Sequence, residues 1–392
     1  MIAELGQLGF DEGAHVIVKL ALAGGSAGDE VGVRGSHPDL LGQLAAWCRE
    51  QGHRWRAVDG GNVRAVVMRG PAAGARWVGA ERAGSIDTPS DDPPASWGLA
   101  ARGSMVEPGG PSPSFALDDG RALWTDRAGG LYAQAAGGQW DPWTAIDWDA
   151  PIAHDEHVET AVVQVMTFLI ENEEAALIVP ARFLGQVHPH FREIQQVLAV
   201  TVADEARHLE VFTRRAGRSG QPLALSSAGG RASLQTLLDE PDFAIASFLL
   251  SVMGEGTFVA LLGFLERHAP DPLTRRLAQL TRQDEARHVA FAMGHLERHA
   301  SLEPTLRSRL ARAVERRHDA LRTTAGLNDE VFDSLVLLAA GDSTPRAIAD
   351  GWTAVQDLQR DMDESRRARL ARLGFSAGES EELSALHTRN FM

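Results

Sequence analysis

Two long apolar stretches in the middle of the chain each contain acidic residues. Val162 to Leu184 and Ala246 to Leu265 are long enough for five or more helical turns each. In both cases about 30 residues separate the acidic positions from a second acidic segment, which leaves room for a short turn and another helix. The pattern predicts two pairs of antiparallel helices that pack as a four-helix bundle.

A five-residue sequence occurs twice, once in the second helix of each predicted pair. Asp204-Glu205-Ala206-Arg207-His208 returns as Asp284-Glu285-Ala286-Arg287-His288, eighty residues later. In each copy a Glu and a His are three residues apart, so a helix presents both side chains on one face. One Glu-x-x-His sequence occurs often by chance, whereas an identical repeat at this separation indicates a duplicated functional helix.

The first helix of each pair is expected to add one glutamate. In the second pair, Glu255 lies at the centre of the apolar stretch, within Met253-Gly254-Glu255-Gly256-Thr257. The first pair offers Glu171, Glu173 and Glu174. When the halves are aligned, Phe-Leu pairs follow Glu174 and Glu255 at the same distance, which favours Glu174 and leaves Glu171 as the reserve.

Carboxylates and imidazoles that converge inside a helical bundle are the donors of a transition-metal site. A glutamate within an apolar stretch is costly unless it is neutralised, paired or bound to metal. The alternative is a buried salt network without metal, in which Arg207 and Arg287 neutralise the carboxylates. Gly254 and Gly256 flank Glu255 in mid-helix, where each costs up to ~1 kcal/mol relative to Ala. They are expected to provide either space beside the metals or close helix packing.

From Trp140 to Gly326 the sequence resembles the ferritin-like di-iron carboxylate proteins, on the Asp-Glu-x-Arg-His sequence of two helices that each follow a helical Glu. It is most similar to the hydroxylase subunits of bacterial multicomponent monooxygenases and to ligand-binding oxidases related to ribonucleotide reductase. The resemblance implies that Asp204 and Asp284 each hold the His of the opposite helix, with Arg207 and Arg287 beside them. It also implies six metal ligands: Glu174, Glu205 and His208 on one metal, and Glu255, Glu285 and His288 on the other or bridging.

Composition narrows the possible partners. The net charge of −15 argues against a nucleic-acid or anionic-membrane surface. Met1 to Glu30 has no secretory signal pattern, and apolar runs such as Phe243 to Met253 fall short of the ~20 residues of a membrane span. A single cysteine, Cys48, excludes a disulfide framework and a Cys-x-x-Cys metal site. We therefore expect a cytoplasmic protein, with a homodimer as one option.

Residues 1–85 are expected to form a separate α/β domain in the order helix, strand, helix, strand, strand, with a further strand before them. Gly28-Asp29-Glu30-Val31 and the segment from Trp47 to His53 resemble the TusA-like sulfur-carrier fold. That family carries its functional cysteine in a Cys-Pro motif ahead of the first helix, where this chain has Gly13-Ala14. The sequence predicts a domain for docking or assembly, with Cys48 packed as an apolar residue.

Residues 86–145 are rich in Pro, Gly, Ser and Asp and are predicted to be a linker with short β-hairpins in Phe115 to Ala133. Trp140, Trp143 and Trp148 follow, either as a lid packed on the bundle or as part of a substrate site. Residues 146–392 would form the bundle, with added helices at Leu306 to Arg322, Asp329 to Ala340 and Arg346 to Ala371. The remaining histidines are predicted at the surface, apart from His295, which is an outer candidate near the ligand face.

The sequence thus predicts a mainly α, multidomain protein with a ferritin-like four-helix bundle after a small α/β TusA-like domain. The expected function is that of a di-iron oxidoreductase, with two Fe ions or a Mn/Fe pair, that uses O₂ and two electrons. It would hydroxylate, N-oxygenate or desaturate a small organic molecule, with a reductase or ferredoxin as electron donor. The rival function is that of an iron-binding ferroxidase without an organic substrate.

Overall fold

The chain folds into two units. The computed structural model describes residues 1–72, 74–322 and 329–388. One unit comprises Met1–Gly84 and Gly103–Ser112, and the other comprises Ser85–Arg102 and Pro113–Met392. Helices dominate the described residues, which confirms the mainly α fold class.

The N-terminal unit is an α/β layer. Strands β1 (Ile2–Glu4), β2 (Glu30–Arg34), β3 (Arg54–Ala57) and β4 (Ala65–Met68) form one sheet in the order β1-β2-β4-β3. The β1–β2 pair is parallel, with helix α1 (Ala14–Leu22) between the two strands in sequence, and the other pairs are antiparallel. Helix α2 (Leu40–Glu50) precedes β3. The order of elements is the predicted one, while kinship with the TusA-like family stays a prediction.

Cys48 lies in the core of this unit, on the buried face of α2. Its side chain is fully buried among apolar residues, including Leu44, Trp47 and Val67. Burial raises the pKa of its thiol to about 11, so the thiolate is scarce at neutral pH. The predicted packing of Cys48 as a small apolar residue agrees with this environment.

Residues 86–145 do not form the predicted linker with hairpins. Strands β5 (Glu81–Arg82) and β6 (Met105–Val106) pair as a small antiparallel sheet, which belongs to the N-terminal unit. In the helical unit, α3 (Gly120–Leu123) and α4 (Ala128–Gly137) replace the expected hairpins. Gly129-Gly130 is a turn signal by composition, but burial of Ala128, Leu131 and Ala135 at helical spacing outweighs the ~1 kcal/mol that each glycine costs in a helix.

The segment before Gly103 is also anchored. Arg102 forms a nearly buried ion pair with Glu193, and the Ser90 backbone N–H donates to His190 Nε2 at 2.8 Å. His188 and His190 are buried, so their predicted surface location is wrong, as it is for His299. The rings of His188 and His190 contact Phe115 and Ser90, far away in sequence, which a local polar context does not reveal. His299 pairs with Glu303, one helical turn further along.

Four long helical segments form the bundle. They are α5 (Glu156–Leu184), α6 (Arg192–Ala216), the segment made of α8 (Phe243–Ser247), a π-helix (Phe248–Glu255) and α9 (Gly256–His268), and finally α10 (Pro272–Leu302). Helix α5 packs on α6, and α9 packs on α10, as the sequence predicts. Asp271 caps the N-terminus of α10 by accepting from the Thr274 backbone N–H.

Further helices surround the bundle. Helix α7 (Ala228–Leu238) connects its two halves. Helices α11 (Leu306–Leu321), α12 (Asp329–Ala340) and α13 (Pro345–Arg372) lie close to their predicted bounds, and α14 (Ala377–Thr388) was not predicted. The stretch Phe243–His268 is long and apolar enough to span a membrane, but 83% of its most apolar window is buried in the protein. It is placed as a core helix of the bundle.

Candidate metal centre

The four bundle helices direct unbroken stripes of buried side chains towards the centre. Successive members of each stripe are three or four residues apart, the spacing of one helix face. In α5 the stripe consists of Val162, Met166, Leu169, Glu173, Ala176, Pro180 and Phe183, all buried. Glu205 and His208 belong to the corresponding stripe of α6, and Glu285 and His288 to that of α10.

Two clusters of carboxylates and histidines meet at the centre of the bundle. Glu173, Glu205, His208 and Glu285 form one, and Glu205, Glu255, Glu285 and His288 form the other. Within each cluster one donor atom per residue lies within 4.8 Å of every other. Because Glu205 and Glu285 belong to both clusters, two ions held here would share these two carboxylates.

The histidine rings place Nδ1 towards this centre. His208 Nδ1 is 3.0 Å from Glu205 Oε2 and 3.4 Å from Glu173 Oε2. His288 Nδ1 is 3.0 Å from Glu205 Oε1 and 3.5 Å from Glu285 Oε2. His208 Nδ1 is also 3.5 Å from Glu285 Oε1. The Nδ1 atom of each imidazole therefore faces carboxylates from both helix pairs.

The other ring nitrogen of each histidine meets an aspartate of the opposite helix. His208 Nε2 lies 3.1 Å from Asp284 Oδ2, and His288 Nε2 lies 3.3 Å from Asp204 Oδ2. This crosswise arrangement is the one expected from the sequence. An aspartate that accepts the Nε2 proton holds the imidazole in the tautomer whose Nδ1 lone pair faces the centre.

A network of polar groups fixes the two aspartates. Arg207 donates to Asp284 Oδ2 at 2.9 Å and also bonds Asp204, and Arg287 bonds Asp284. Gln139 Nε2 donates to Asp204 Oδ1 at 2.9 Å, and Trp140 Nε1 donates to Asp284 Oδ2 at 2.8 Å. The sequence reasoning missed Gln139, and it assigned Trp140 to a lid or to a substrate site. Neither belongs to a repeat, so their roles depend on long-range packing.

The other two tryptophans pack on α6. The Arg214 guanidinium lies 4.2 Å from the ring centres of both Trp143 and Trp148. Trp148 is buried, and its indole N–H donates to the Pro142 carbonyl at 2.7 Å. These contacts favour the lid over the substrate role, since neither ring contacts the six central side chains within the described part of the chain.

The structure does not bring Glu174 to the centre. Its side chain is exposed, and that of Glu171 is only half-buried, while Glu173 is 2% exposed and lies in the first cluster. The alignment assumed that Phe183 and Phe264 occupy equivalent positions in the two halves. In the structure Glu173 lies ten residues before Phe183, whereas Glu255 lies nine residues before Phe264, so the offset does not transfer between them.

The two glycines beside Glu255 have different structural roles. Gly254 lines a cavity next to Glu255. A Cβ at Gly256 would lie 2.4 Å from Cζ of Arg369, so this glycine allows the Arg369 guanidinium to lie against the helix. From there Arg369 Nε donates to the Val252 carbonyl at 2.8 Å, within the π-helix. Of the two expected explanations, space applies to Gly254 and close packing to Gly256.

His295 lies two turns beyond His288 on the stripe of α10 but outside both clusters. Ser247 Oγ is 2.8 Å from its Nε2, and the Ala122 carbonyl is 3.3 Å from its Nδ1. Burial lowers its pKa to about 3, so the ring is neutral at physiological pH. We assign His295 to the packing of α8 on α10.

Several ligand atoms at the centre lack a well-directed hydrogen bond. Among the described residues, both oxygens of Glu255 and Oε1 of Glu173 accept none. Nδ1 of His288 lies 3.0 Å from Glu205 Oε1 and 3.5 Å from Glu285 Oε2, but these three atoms form no hydrogen bond of good geometry either. Unsatisfied buried polar atoms are rare, because each costs about 1–3 kcal/mol or more when charged. Inward-facing carboxylate oxygens and imidazole nitrogens are the donors that iron and manganese take, so these residues fit a pair of metal ions.

Burial and the nearby charges shift the pKa values of the central carboxyl and imidazole groups in the metal-free protein. Burial, followed by the nearby carboxylates, raises the pKa of Glu173 and of Glu255 well above the ordinary value of 4.5. Burial disfavours the imidazolium forms of His208 and His288, but the surrounding carboxylates outweigh it and raise both pKa values well above 6.5. Burial also opposes ionisation of Glu205, yet His288, Glu173 and His208 lower its pKa. Protons thus take the place of metal cations in the metal-free protein.

This protonation predicts a pH dependence of stability. A group with a raised pKa in the folded state stabilises the fold below its unfolded pKa and loses that effect as pH rises through the folded value. For His208 and His288 the loss begins above about pH 6.5. We expect the melting temperature of metal-free protein to fall from about pH 6.5 to 9, and Mn²⁺ to reduce that slope. Parallel melting curves with and without Mn²⁺ would contradict the prediction.

Comparisons with known proteins find structural matches only. No family model and no curated protein matches the chain. A Synechococcus protein with aldehyde deformylating oxidase activity matches 58% of this chain and 96% of its own, at 20% identity and a TM-score of 0.42. A variant of an R2-like ligand-binding oxidase with a reconstituted Mn/Fe cofactor matches 65% and 95%, at 17% identity and a TM-score of 0.47. Another variant with an Fe/Fe cofactor has the same values.

Proposed function

We propose that the protein is a ferritin-like, O₂-dependent oxidoreductase that holds two iron ions, or one manganese and one iron, at the centre of the bundle. The observation that carries the proposal is the pair of clusters that share Glu205 and Glu285 and leave carboxylate oxygens without partners. Glu173 and His208 would complete one ion's ligands, and Glu255 and His288 the other's. A reduced metal pair with this ligand set supplies the electrons that activate O₂.

The surrounding side chains keep the ligands in place. Asp284 and Asp204 hold the Nε2 protons of His208 and His288, so each Nδ1 is available to a metal. Arg207 and Arg287 offset the negative charge of the two aspartates. The six ligands are at most 5% exposed, so bulk water is kept from the site.

The space beside the centre suits an apolar organic substrate. One cavity reaches Glu173, Glu255 and Glu285, and a second reaches Glu255 and His288. Both are lined mainly by apolar side chains, as pockets for organic ligands are. A cavity that reaches the ligands directly favours oxidation of a bound molecule over storage of mineral iron.

Hydroxylation, N-oxygenation and desaturation all fit this arrangement. Each needs two electrons from a partner, for which we propose a reductase or ferredoxin. The test is stopped-flow mixing of reduced, iron-loaded protein with O₂, followed by a search for labelled oxygen or lost hydrogen in candidate substrates. We expect a substrate to accelerate O₂ consumption. A ferric mineral as the one lasting product, with no substrate effect, would instead establish the ferroxidase function.

A further inference from the structure

Arg317 on α11 lines the first cavity together with three of the proposed metal ligands, Glu173, Glu255 and Glu285. Its side chain is 7% exposed, although it carries a guanidinium group. Burial lowers its pKa to about 10, which still leaves it protonated at neutral pH. A full positive charge is therefore exposed to the interior of a largely apolar cavity.

The partners of Arg317 are neutral. Its Nε donates to Thr236 Oγ1 at 2.8 Å, and one terminal nitrogen donates to Ser233 Oγ at 2.6 Å and to the Ser233 carbonyl at 3.5 Å. Among residues 1–72, 74–322 and 329–388, no carboxylate forms an ion pair with it. Arg215, another buried arginine of the bundle, instead pairs with Glu159 and Asp271.

The His387 ring lies close to the charge of Arg317 and to two further arginines. His387 of α14 is buried, and its pKa is lowered well below 6.5 by burial and by the charges of Arg366, Arg317 and Arg369. Arg317 also lines a smaller cavity with Leu249 and His387, next to the first. Burying an uncompensated charge is costly unless an opposite charge joins it. This part of the protein therefore favours an anion.

Apart from Arg317, Asn172 and the three carboxylates, the side chains that line the first cavity are apolar. They are Ala176 of α5, Leu234 and Leu237 of α7, Leu249 and Leu250 of the π-helix, and Phe258 of α9. The same cavity thus offers one cationic group, a hydrophobic wall and the metal ligands. Carboxylates bind to guanidinium groups through charge-assisted, often bidentate hydrogen bonds.

We propose that the substrate is an organic anion with an apolar body, whose charged group binds Arg317 while its apolar part extends towards Glu255. That the bound anion is a substrate rests on the proposed oxidase function. Binding of the anion at Arg317 can be measured without O₂ or iron. Arg317 acts in positioning: it selects which end of the molecule approaches the metals.

The experiment compares two ligands of the same shape, phenylbutanoate and its neutral analogue phenylbutanol. Their affinities are measured by calorimetry with the full-length protein, metal-free and Mn²⁺-loaded. We expect the wild type to bind the anion at least about 10-fold more tightly in both forms, since a desolvated charge pair contributes more than the 1.4 kcal/mol that this ratio represents. Equal affinity for the two ligands in the wild type would overturn the proposal without any variant.

Substitutions of Arg317 and of a neighbouring arginine test whether the preference for the anion depends on Arg317. Arg317→Met should abolish the preference for the anion, and Arg317→Lys should retain part of it, because an ammonium keeps the charge but loses the planar fork. Arg316→Met removes a charge from an exposed neighbour on the same helix and should preserve the preference. A preference that survives Arg317→Met, or that appears only with metal bound, would overturn the proposal by placing the anion at the metals.

Measurements of O₂ consumption test the oxidase function separately from the anion site. Phenylbutanoate that binds through Arg317 yet leaves O₂ consumption by the iron-loaded protein unchanged supports the anion site and counts against this molecule as a substrate. Iron-loaded protein that shows no substrate effect with any organic anion, while the Arg317 dependence of binding persists, contradicts the oxidase function alone.

Discussion

Glu173→Ala is expected to abolish O₂ consumption, with a loss that exceeds the ~10- to 100-fold typical when a group behind a metal ligand is removed. Glu173 is the one carboxylate of α5 in the central clusters, and no other acidic side chain of that helix reaches them. Its removal should leave one metal position with His208 and the shared carboxylates. Elemental analysis should show metal content reduced to about one ion per chain or less.

Glu174→Ala is the matched control. It removes the same chemical group one residue away, but Glu174 is exposed and should change stability by no more than ~0.5 kcal/mol. Normal metal content in Glu173→Ala, or its loss in Glu174→Ala, would contradict this assignment.

Asp284→Asn is expected to lower metal affinity or activity by about 10- to 100-fold, although Asp284 belongs to neither cluster. Its Oδ2 lies 3.1 Å from His208 Nε2 and accepts hydrogen bonds from Arg207 and Trp140. These hydrogen bonds hold its pKa well below the ordinary value even though burial opposes ionisation. A neutral amide can neither offset the arginine charges nor hold the Nε2 proton as firmly.

Glu297→Gln is the control that removes a carboxylate charge from α10 at a position away from the metal centre. This carboxylate is partly exposed and pairs with Arg372, away from the centre. The control should retain metal and activity. Asp204→Asn should resemble Asp284→Asn, because Asp204 stands in the same relation to His288. Wild-type metal affinity and activity in both aspartate variants would show that the histidines need no such support.

The fold was predictable where local pattern and tertiary packing agree. The bundle helices have long apolar stretches, and the duplicated Asp-Glu-Ala-Arg-His sequence marks the inner face of α6 and α10. The helices α11 to α13 were identified from the same periodicity. Residues 86–145 were misjudged because glycine and proline content describes local preference, whereas Arg102 and Ser90 are held by α6 and the turn before it.

The error of one residue at Glu174 has a physical cause. Adjacent residues on an α-helix point about 100° apart, so of two neighbouring glutamates one can be buried while the other is exposed. The stripe from Val162 through Met166, Leu169 and Glu173 to Ala176 was present in the sequence and could have identified Glu173. The comparison between the two halves failed because Glu173 lies ten residues before Phe183, whereas Glu255 lies nine before Phe264.

The outer contacts of the centre could not be derived from spacing. Gln139 and Trp140 precede α5 by more than a helical turn and reach aspartates more than 60 and 140 residues away. Arg317 is one of several arginines on α11, and its place on the cavity wall depends on how α7 packs against that helix. Such contacts are properties of the folded chain.

The central claim is that one chain holds two metal ions that share Glu205 and Glu285. The direct test is anomalous diffraction from crystals of the iron-loaded protein, together with elemental analysis of the same preparation. We expect about two metals per chain, one bound by Glu173 and His208, the other by Glu255 and His288, and both by the shared carboxylates. A single metal, or crystals in which Arg207 or other protein groups neutralise the carboxylates without metal, would contradict the account.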